Sequence, residues 1–153
     1  MPKVSIITLP FRKTHLIAPV FDAIFAQTHT DLEVIVVLND PKDGSRQILE
    51  KNYPRVRIID NDINSFAKGV NIGIKNSSGD FIQMVNDDLI LEPNYIEEIL
   101  KVFSNPKVAS ATGKILRYDF SSNQKLKIID TAGLVFNPTG RVRDIGQLQE
   151  DMG

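Results

Sequence analysis

The segment Gly79–Pro93, which reads GDFIQMVNDDLILEP, combines a short apolar run with a pair of acids. The apolar residues between positions 81 and 85 predict a strand, and the run stops abruptly at Asn86, Asp87 and Asp88. Two adjacent carboxylates at the carboxyl end of a strand suit a divalent cation or a metal-bound phosphate. A solvated turn after a strand explains the same residues, so this segment alone leaves both interpretations open.

Composition sets the broad class. The 153 residues fit one domain and are long enough to bury an independent core. The 18 Lys and Arg nearly balance the 19 Asp and Glu, so there is no net charge to attract nucleic acid or an anionic membrane. The absence of cysteine excludes disulfides and thiolate metal sites. With no signal-peptide pattern and no apolar run of about 18–20 residues, we expect a cytoplasmic protein.

Strand and helix patterns alternate over the first two thirds of the chain. Apolar, β-branched runs predict strands at 3–9, 34–38, 56–59 and 80–85. Helical periodicity predicts four helices, at about 14–27, 45–52, 65–76 and 93–105. Thr14 is predicted to cap the first helix, Asn64 or Ser65 the third, and Pro93 to be the first residue of the fourth. In the third helix, Phe66, Val70 and Ile74 are predicted to share one face.

This alternation predicts a parallel sheet covered by helices on both faces. Ligands of such sheets bind beyond the carboxyl ends of the strands. We therefore expect the loops that follow Leu9, Leu38, Asp60 and Val85 to share one edge of the sheet.

A different pattern begins after Pro106. Extended segments are predicted at 108–116, 128–136 and 141–145, with a polar loop YDFSSNQK at 118–125 and a turn at 138–140. Because no helix separates these segments, we expect an antiparallel or mixed addition to the sheet. The segment ends without an obvious closing element, which favours an incomplete domain.

Several common sites are not supported. Neither GxGxxG nor GxxxxGK[ST] occurs, which argues against dinucleotide-dependent oxidoreductases and P-loop NTPases. The stretch 39–50 imitates a calcium loop, but Pro41 at its third position offers no side-chain ligand. His15 and His29 complete neither a metal triad nor a Ser-His-Asp set.

The chain resembles the nucleotide-sugar-binding half of family 2 glycosyltransferases of the GT-A fold. The resemblance covers nearly the whole chain and lies in the order and spacing of four segments: MPKVSIIT with the following Pro-aromatic-Arg loop, FAQTHTDLEVIVVLNDPKDGS, NSFAKGVNIGIKNSSGDFIQMVNDDLILEP and IDTAGLVFNPTGRVRDIG. The last segment is similar to one in rhamnosyltransferase-like members.

The resemblance implies the architecture of the chain. It implies a Rossmann-like, three-layer α/β/α domain with a mostly parallel sheet and a mixed C-terminal extension. Residues 1–105 would then form the nucleotide-sugar-binding core, and residues 106–153 would begin the acceptor-side extension of the same domain.

The acid pair receives its role from the same resemblance. The NDD triplet is similar to the DxD-type motif of the family, in which Asp88 would bind Mg²⁺ or Mn²⁺ and Asp87 would face the ribose or share the metal, next to Asn86. Such a cation neutralises the departing nucleoside diphosphate. A purely structural pair of acids remains the alternative.

The loop after the first strand is similar to the Pro-Thr-Tyr-Asn-type loop that packs on the base in this family. The matching residues, all expected near the donor, are Leu9, Pro10, Phe11 and Arg12. Phe11 would stack on the base. Alternatively, its ring only closes the edge of the sheet.

Two further donor contacts are implied. Asn39 stands where the family has an Asp that contacts the pyrimidine, although Leu38 departs from the pattern and leaves the choice of base open. Lys68 begins a helix beside the phosphates, where its charge and the helix amides would hold a diphosphate. A plain turn for Asn39 and a solvated surface lysine for Lys68 are the alternatives.

The implied reaction is inverting transfer of a sugar, of the hexosyltransferase type, from a UDP- or dTDP-sugar to a hydroxyl of a saccharide or lipid-linked acceptor. It requires a general base, and Glu150 and Asp151 are the candidates in this chain. The resemblance also points to polysaccharide biosynthesis and, with a lipid-linked acceptor, to the periphery of the inner membrane face. No nucleic-acid partner is expected.

Two alternatives stand beside this reaction. The first is a truncated nucleotide-sugar-binding domain without transferase activity of its own. The second is a nucleotidyltransferase, which would normally carry a glycine-rich basic loop where this chain has TLPFRKT.

Overall fold

A computed structural model describes residues 1–153 of the chain, which divides into two compact units, Met1–Glu97 and Glu98–Gly153. The first unit alternates strands and helices as predicted: β1 Val4–Thr8, a 3₁₀ turn Thr14–Leu16 leading into α1 Ile17–Phe25, β2 Leu32–Leu38, α2 Ser45–Asn52, β3 Arg57–Asp60, α3 Phe66–Asn76, β4 Phe81–Val85 and α4 Tyr95–Val102, whose last residues belong to the second unit. The division lies within α4, between residues 97 and 98, whereas the sequence predicts the border of the two parts between 105 and 106. The donor and acceptor roles of the two parts remain predictions.

The sheet of the first unit is parallel and has the strand order β3-β2-β1-β4. The chain moves outward from β1 to β2 and β3, and then crosses back to place β4 on the other side of β1. The direction of winding therefore reverses between β1 and β4. In open α/β sheets, ligands bind at the carboxyl ends of the strands where this reversal occurs.

The two central strands are buried on both faces, which explains their mainly apolar sequences. Every residue of β1 is buried, as are Val34–Leu38 of β2. One face of the sheet carries Ile7, Leu9, Ile35 and Val37. These strands form the rigid base on which the loops of the carboxyl edge are mounted.

Helix α3 covers that face through two glycines. A Cβ at Gly73 would lie 2.5 Å from Ile7 Cγ2, and one at Gly69 would lie 2.5 Å from Leu9 Cδ2. Of the predicted stripe, Val70 does pack against this core, whereas Phe66 is 62% and Ile74 is 41% exposed and neither belongs to the buried face. Glycines at these positions allow the helix axis to approach β1 closely.

The helix starts differ in part from the sequence predictions. Ser65 does cap α3, since its hydroxyl accepts the Lys68 backbone N–H at 3.4 Å. Thr14 does not cap α1, which begins after the 3₁₀ turn with Leu16 at the capping position and no side-chain cap. Pro93 lies in a turn before Tyr95, the first residue of α4, and so is not the first helical residue.

The second unit is antiparallel. Strand β5, Ile115–Asp119, pairs with β6, Gln124–Thr131, and β7, Leu134–Phe136, pairs with β8, Val142–Asp144. The antiparallel pairing was predicted, but the strands form two separate two-stranded sheets and do not extend the parallel one. The predicted polar loop at 118–125 is also too long, because its ends pair within β5 and β6 and only 120–123 remain as the turn.

A partly buried carboxylate connects the strands at their amino ends. The Ser5 hydroxyl donates to Glu33 Oε1 at 2.5 Å, and the Ser78 backbone N–H donates to the same oxygen at 2.5 Å. Burial alone would raise the pKa of Glu33, but these hydrogen bonds outweigh it and lower the pKa to about 2. Glu33 thus joins β1 and β2 to the segment that enters β4.

No helix of the structure combines the length and the apolar character needed to cross a lipid bilayer.

Candidate functional site

A cleft of about 380 Å³ lies at the carboxyl edge of β1 and β4, where the winding of the sheet reverses. Its walls come from four places in the first unit: Leu9, Phe11 and Lys13 after β1, Asn39 after β2, Asn64 and Phe66 at the start of α3, and residues 84–88 at the end of β4. The predicted convergence of the edge loops is therefore observed.

Lys13 joins the two acids of the NDD triplet. Its Nζ lies 3.2 Å from Asp87 Oδ1 and 2.9 Å from Asp88 Oδ2. The other oxygen of Asp87, Oδ2, accepts the Phe11 backbone N–H at 3.0 Å. The hydrogen bond to Asp88, together with the charges of both acids, raises the pKa of Lys13 although burial opposes the rise, so the ammonium stays charged.

A turn brings both acids to the same ammonium. Along a strand, consecutive side chains would point to opposite faces of the sheet. Strand β4 ends at Val85, and the Leu89 backbone N–H donates to the Asn86 carbonyl at 3.3 Å. Because the strand has ended, Asp87 and Asp88 both reach the same space. Asp87 is the more enclosed, with its side chain 16% exposed against 47% for Asp88.

The loop after β1 divides into cleft residues and supporting residues. Leu9 and Phe11 line the cleft, whereas Pro10 is buried and Arg12 is not among the lining residues. Arg12 has φ 56°, its backbone N–H donates to Asp43 Oδ2 at 2.8 Å, and its Nε donates to Asp40 Oδ2 at 2.9 Å. Arg12 thus anchors this loop to the one after β2.

Asn39 lines the cleft with its amide already oriented. Its Oδ1 accepts Nδ2–H of the buried Asn61 at 2.7 Å. With the oxygen engaged, the amide nitrogen of Asn39 is the group left to donate to a ligand.

Lys68 is not among the residues that line the cleft. Its ammonium pairs with Asp62 in the loop before α3. Its expected contact with a diphosphate remains a prediction, and it requires this ion pair to open.

Five lining residues were not identified from the sequence as site residues, among them Met84 and Val85, for which the sequence predicts only a strand. Asn64 was assigned as a possible cap, Phe66 as part of a buried stripe, and Lys13 received no role. Phe66 shares a helix face with Gly69 and Gly73, but it is the first residue of α3 and lies beyond the ends of the strands. The spacing of Gly69 and Gly73 could have indicated which face of α3 packs on the sheet. The position of Lys13 in a loop at the same sheet edge as the paired acids could have indicated its place in the site.

Glu150 and Asp151 belong to the second unit. Asp151 pairs with Lys114, and this hydrogen bond lowers the pKa of Asp151. A lowered pKa weakens a carboxylate as a general base near neutral pH. Glu150 is exposed and forms an isolated antiparallel bridge with Ile128. The role of this pair in catalysis remains a prediction.

The model of Glycosyl transferase family 2 matches residues 5–150. The chain belongs to glycosyltransferase family 2. The resemblance found in the sequence is thereby confirmed, whereas rhamnosyl specificity remains a prediction.

Two relatives of this family 2 chain are 30% identical to it over the aligned residues and are longer than it is. An uncharacterised glycosyltransferase of Haemophilus influenzae is 30% identical over 119 residues, which cover 75% of this chain and 37% of the relative. Hyaluronan synthase of Pasteurella multocida is 30% identical over 110 residues, which cover 70% of this chain and 11% of the synthase. The family 2 chain thus spans about a third or less of these relatives.

Solved structures confirm the fold class. The mannosyltransferase PcManGT from Pyrobaculum calidifontis, in complex with GDP-Man and Mn²⁺, matches with a TM-score of 0.66 and 21% identity, over 76% of this chain and 36% of that one. S. aureus TarS 1-349 in complex with UDP matches with a TM-score of 0.61 and 20% identity, over 67% and 32%. The family 2 chain therefore has the GT-A arrangement over part of a domain.

Proposed function

We propose that this chain binds a nucleotide-diphosphate sugar in the cleft between β1 and β4 and supplies the donor-binding part of a glycosyltransferase. The observation that carries the proposal is the acid pair Asp87 and Asp88, which lines the same cleft as Phe11 and Asn39. One cavity thus contains carboxylates that can bind the metal of a metal–diphosphate complex and an aromatic ring that can stack on a base.

The acid pair fits a hard divalent cation, Mg²⁺ or Mn²⁺. It already holds a cation, the Lys13 ammonium, at distances of 2.9 and 3.2 Å. No group of three or more His, Cys, Asp or Glu side chains suited to a metal occurs in residues 1–153. Asp88, with Asp87, would therefore supply the protein ligands, and diphosphate oxygens and water would complete the shell. When bound, the metal neutralises the departing diphosphate.

The aromatic and amide groups of the cleft suit a pyrimidine base. Phe11 offers a ring for stacking, although the Arg12 guanidinium carbon lies 4.9 Å from the centre of that ring. The oriented amide nitrogen of Asn39 would donate to a carbonyl oxygen of uracil or thymine. We therefore favour UDP- or dTDP-sugars, with Leu9, Pro10 and Arg12 shaping the loop around the base and Asn86 next to Asp87 in the donor site.

Transfer would displace the nucleoside diphosphate directly, with inversion at the sugar carbon and a hexose as the transferred group. A general base must take the proton of the acceptor hydroxyl. Asp151 is held by Lys114, and its lowered pKa favours a base supplied from elsewhere. The Asp151–Lys114 contact therefore favours a second candidate function, in which this chain binds the donor but does not catalyse transfer by itself.

The acceptor and the setting are inferred from the relatives. Chondroitin synthase and hyaluronan synthase of Pasteurella multocida are among them, which supports a role in polysaccharide biosynthesis with a saccharide or lipid-linked acceptor. We further propose that the protein works in the cytoplasm, at the inner face of the membrane when the acceptor is lipid-linked.

Calorimetry with UDP- and dTDP-sugars, with and without Mn²⁺, tests the proposal. We expect metal-dependent binding that Asp88→Ala abolishes, while Glu98→Ala, which removes an acid from a surface ion pair with Lys101, leaves it unchanged. If the affinity for the nucleotide sugar is the same with and without Mn²⁺ and is unchanged in Asp88→Ala, the proposed site is refuted. A transfer assay on the same samples then separates transfer from binding alone.

A further inference from the structure

Lys13 is the only basic residue that lines the cleft. Arg12, its neighbour in the chain, pairs with Asp40 through its side chain and with Asp43 through its backbone N–H, and it does not line the cleft, although its guanidinium carbon lies 4.9 Å from the centre of the Phe11 ring. Lys68 is held by Asp62. Lys13 is therefore the cation that lies beside the acid pair, whereas the Arg12 guanidinium lies near the Phe11 ring.

The Lys13 ammonium lies in the space between the carboxylates of Asp87 and Asp88. It donates to one oxygen of each, at 3.2 and 2.9 Å. Because Asp87 Oδ2 already accepts the Phe11 N–H, a divalent cation bound between these acids would use Asp87 Oδ1, the oxygen that Lys13 holds. An ammonium and a divalent cation a few ångströms apart repel each other strongly, so they do not occupy this space together.

The Lys13 side chain can leave this position without unfolding its surroundings. It is 41% exposed, and lysine carries its charge on a flexible four-carbon stem. The backbone of the loop is held independently, by the Phe11 N–H to Asp87 and the Arg12 N–H to Asp43. Release of the ammonium therefore breaks two ion pairs and leaves the loop in place.

We propose that Lys13 is a resident counter-ion that competes with the divalent cation for Asp87 and Asp88, and that it moves onto the diphosphate when the metal and the nucleotide bind. This inference rests on the proposed function. Lys13 would hold the acids in position before the donor arrives, and afterwards its charge would add to that of the metal on the diphosphate oxygens.

Two measurements on Lys13→Met test this exchange. Mn²⁺ binding without nucleotide, followed by electron paramagnetic resonance, is expected to tighten about threefold to tenfold, because the competing ammonium is gone. UDP binding at saturating Mn²⁺, followed by calorimetry, is expected to weaken by about the same factor. A residue that only supports the loop would weaken both, so the opposite signs identify competition.

Two variants serve as controls. Lys51→Met removes an exposed lysine from α2 and makes the same change in net charge, and it is expected to leave both affinities at the wild-type values. Lys13→Arg keeps a cation at the site, and its Mn²⁺ affinity is expected to stay close to that of the wild type. Thermal unfolding of each variant in EDTA confirms that the comparison is made on folded protein.

The outcomes separate the two proposals. Mn²⁺ affinity of Lys13→Met equal to or below that of the wild type, with UDP binding intact in the wild type, would overturn the exchange alone. UDP binding by the wild type in EDTA that Lys13→Met abolishes would also overturn it, because the ammonium would then replace the metal. Absence of both Mn²⁺ and UDP binding in all variants would refute the proposed function and the exchange with it.

Discussion

The backbone N–H of Phe11 donates to Asp87 Oδ2 at 3.0 Å. This bond joins the loop that follows β1 to the turn that follows β4, two segments 76 residues apart in the chain. One acid of the proposed metal pair therefore also positions the aromatic residue proposed for the base.

Asp87→Ala should consequently damage two functions. Loss of the carboxylate removes a metal ligand and frees the Phe11 N–H, so UDP binding with Mn²⁺ should fall by at least about tenfold, about 1.4 kcal/mol. Hydrogen exchange at Phe11 should accelerate at the same time. Asp87→Asn retains an acceptor oxygen, and it should lose metal affinity while keeping Phe11 protected. If the Phe11 N–H of Asp87→Ala exchanges as slowly as that of the wild type, the proposed dependence of Phe11 on Asp87 is contradicted.

Gly73→Ala should destabilise the fold, even though alanine favours helices by about 1 kcal/mol over glycine. The new Cβ would lie 2.5 Å from Ile7 Cγ2, and overpacking of this kind costs about 1–3 kcal/mol. Urea unfolding measures the net loss.

A double-mutant cycle isolates the cause of that loss. Ile7→Ala removes the clashing methyl group, so Gly73→Ala should cost less in the Ile7→Ala background than in the wild type. An equal cost in both backgrounds would place the strain elsewhere.

The acid stability of the first unit should depend on Glu33. Its pKa falls from the ordinary 4.5 to about 2 on folding, so its contribution is present above about pH 4.5 and is lost as the pH falls towards 2. We expect a contribution of roughly 1–3 kcal/mol. Glu33→Gln should be less stable than the wild type at pH 7, and the difference should shrink on acidification. A constant difference from pH 7 to pH 2 would exclude this role.

Phe11→Ala and Phe66→Ala should each weaken UDP binding in the presence of Mn²⁺, because both rings line the cleft. A stacked aromatic ring contributes about 1–3 kcal/mol to binding a base, which corresponds to roughly fivefold or more. The variant Phe136→Ala is a suitable control, since this ring is 73% exposed on β7 in the second unit. If only one of the two cleft variants weakens binding, that ring contacts the base and the other only encloses the cavity.

The order of strands and helices in the first unit was predictable from the sequence because it depends on short-range patterns. Runs such as Val34–Leu38 are too short for helices and too apolar for exposed strands. Their alternation with helical segments leaves a parallel sheet as the arrangement that buries every apolar run. The carboxyl-edge position of the loops, and of Asp87 and Asp88 within them, follows from that topology.

The second unit was less predictable. Antiparallel pairing follows from the absence of helices between its strands, but the choice of partner does not. Strands β5 and β6 pair with each other, as do β7 and β8, because tight turns bring neighbouring segments together. The sequence pattern does not distinguish such hairpins from strands added to the central sheet.

By itself, the sequence determined the order of strands and helices in the first unit, the sheet edge where the loops converge and the acids placed there, because periodicity and connection rules act along the chain. Only the tertiary structure decided that Lys13 lies between Asp87 and Asp88, that Arg12 and Lys68 are committed to other acids, and that α3 packs on β1 through glycines. The Lys13 and Arg12 contacts depend on side-chain reach between segments far apart in sequence, which no local pattern encodes. The Lys68–Asp62 pair spans only six residues but depends on the course of the loop before α3, and the glycine spacing indicates the packed face of α3 but not the strand against which it packs.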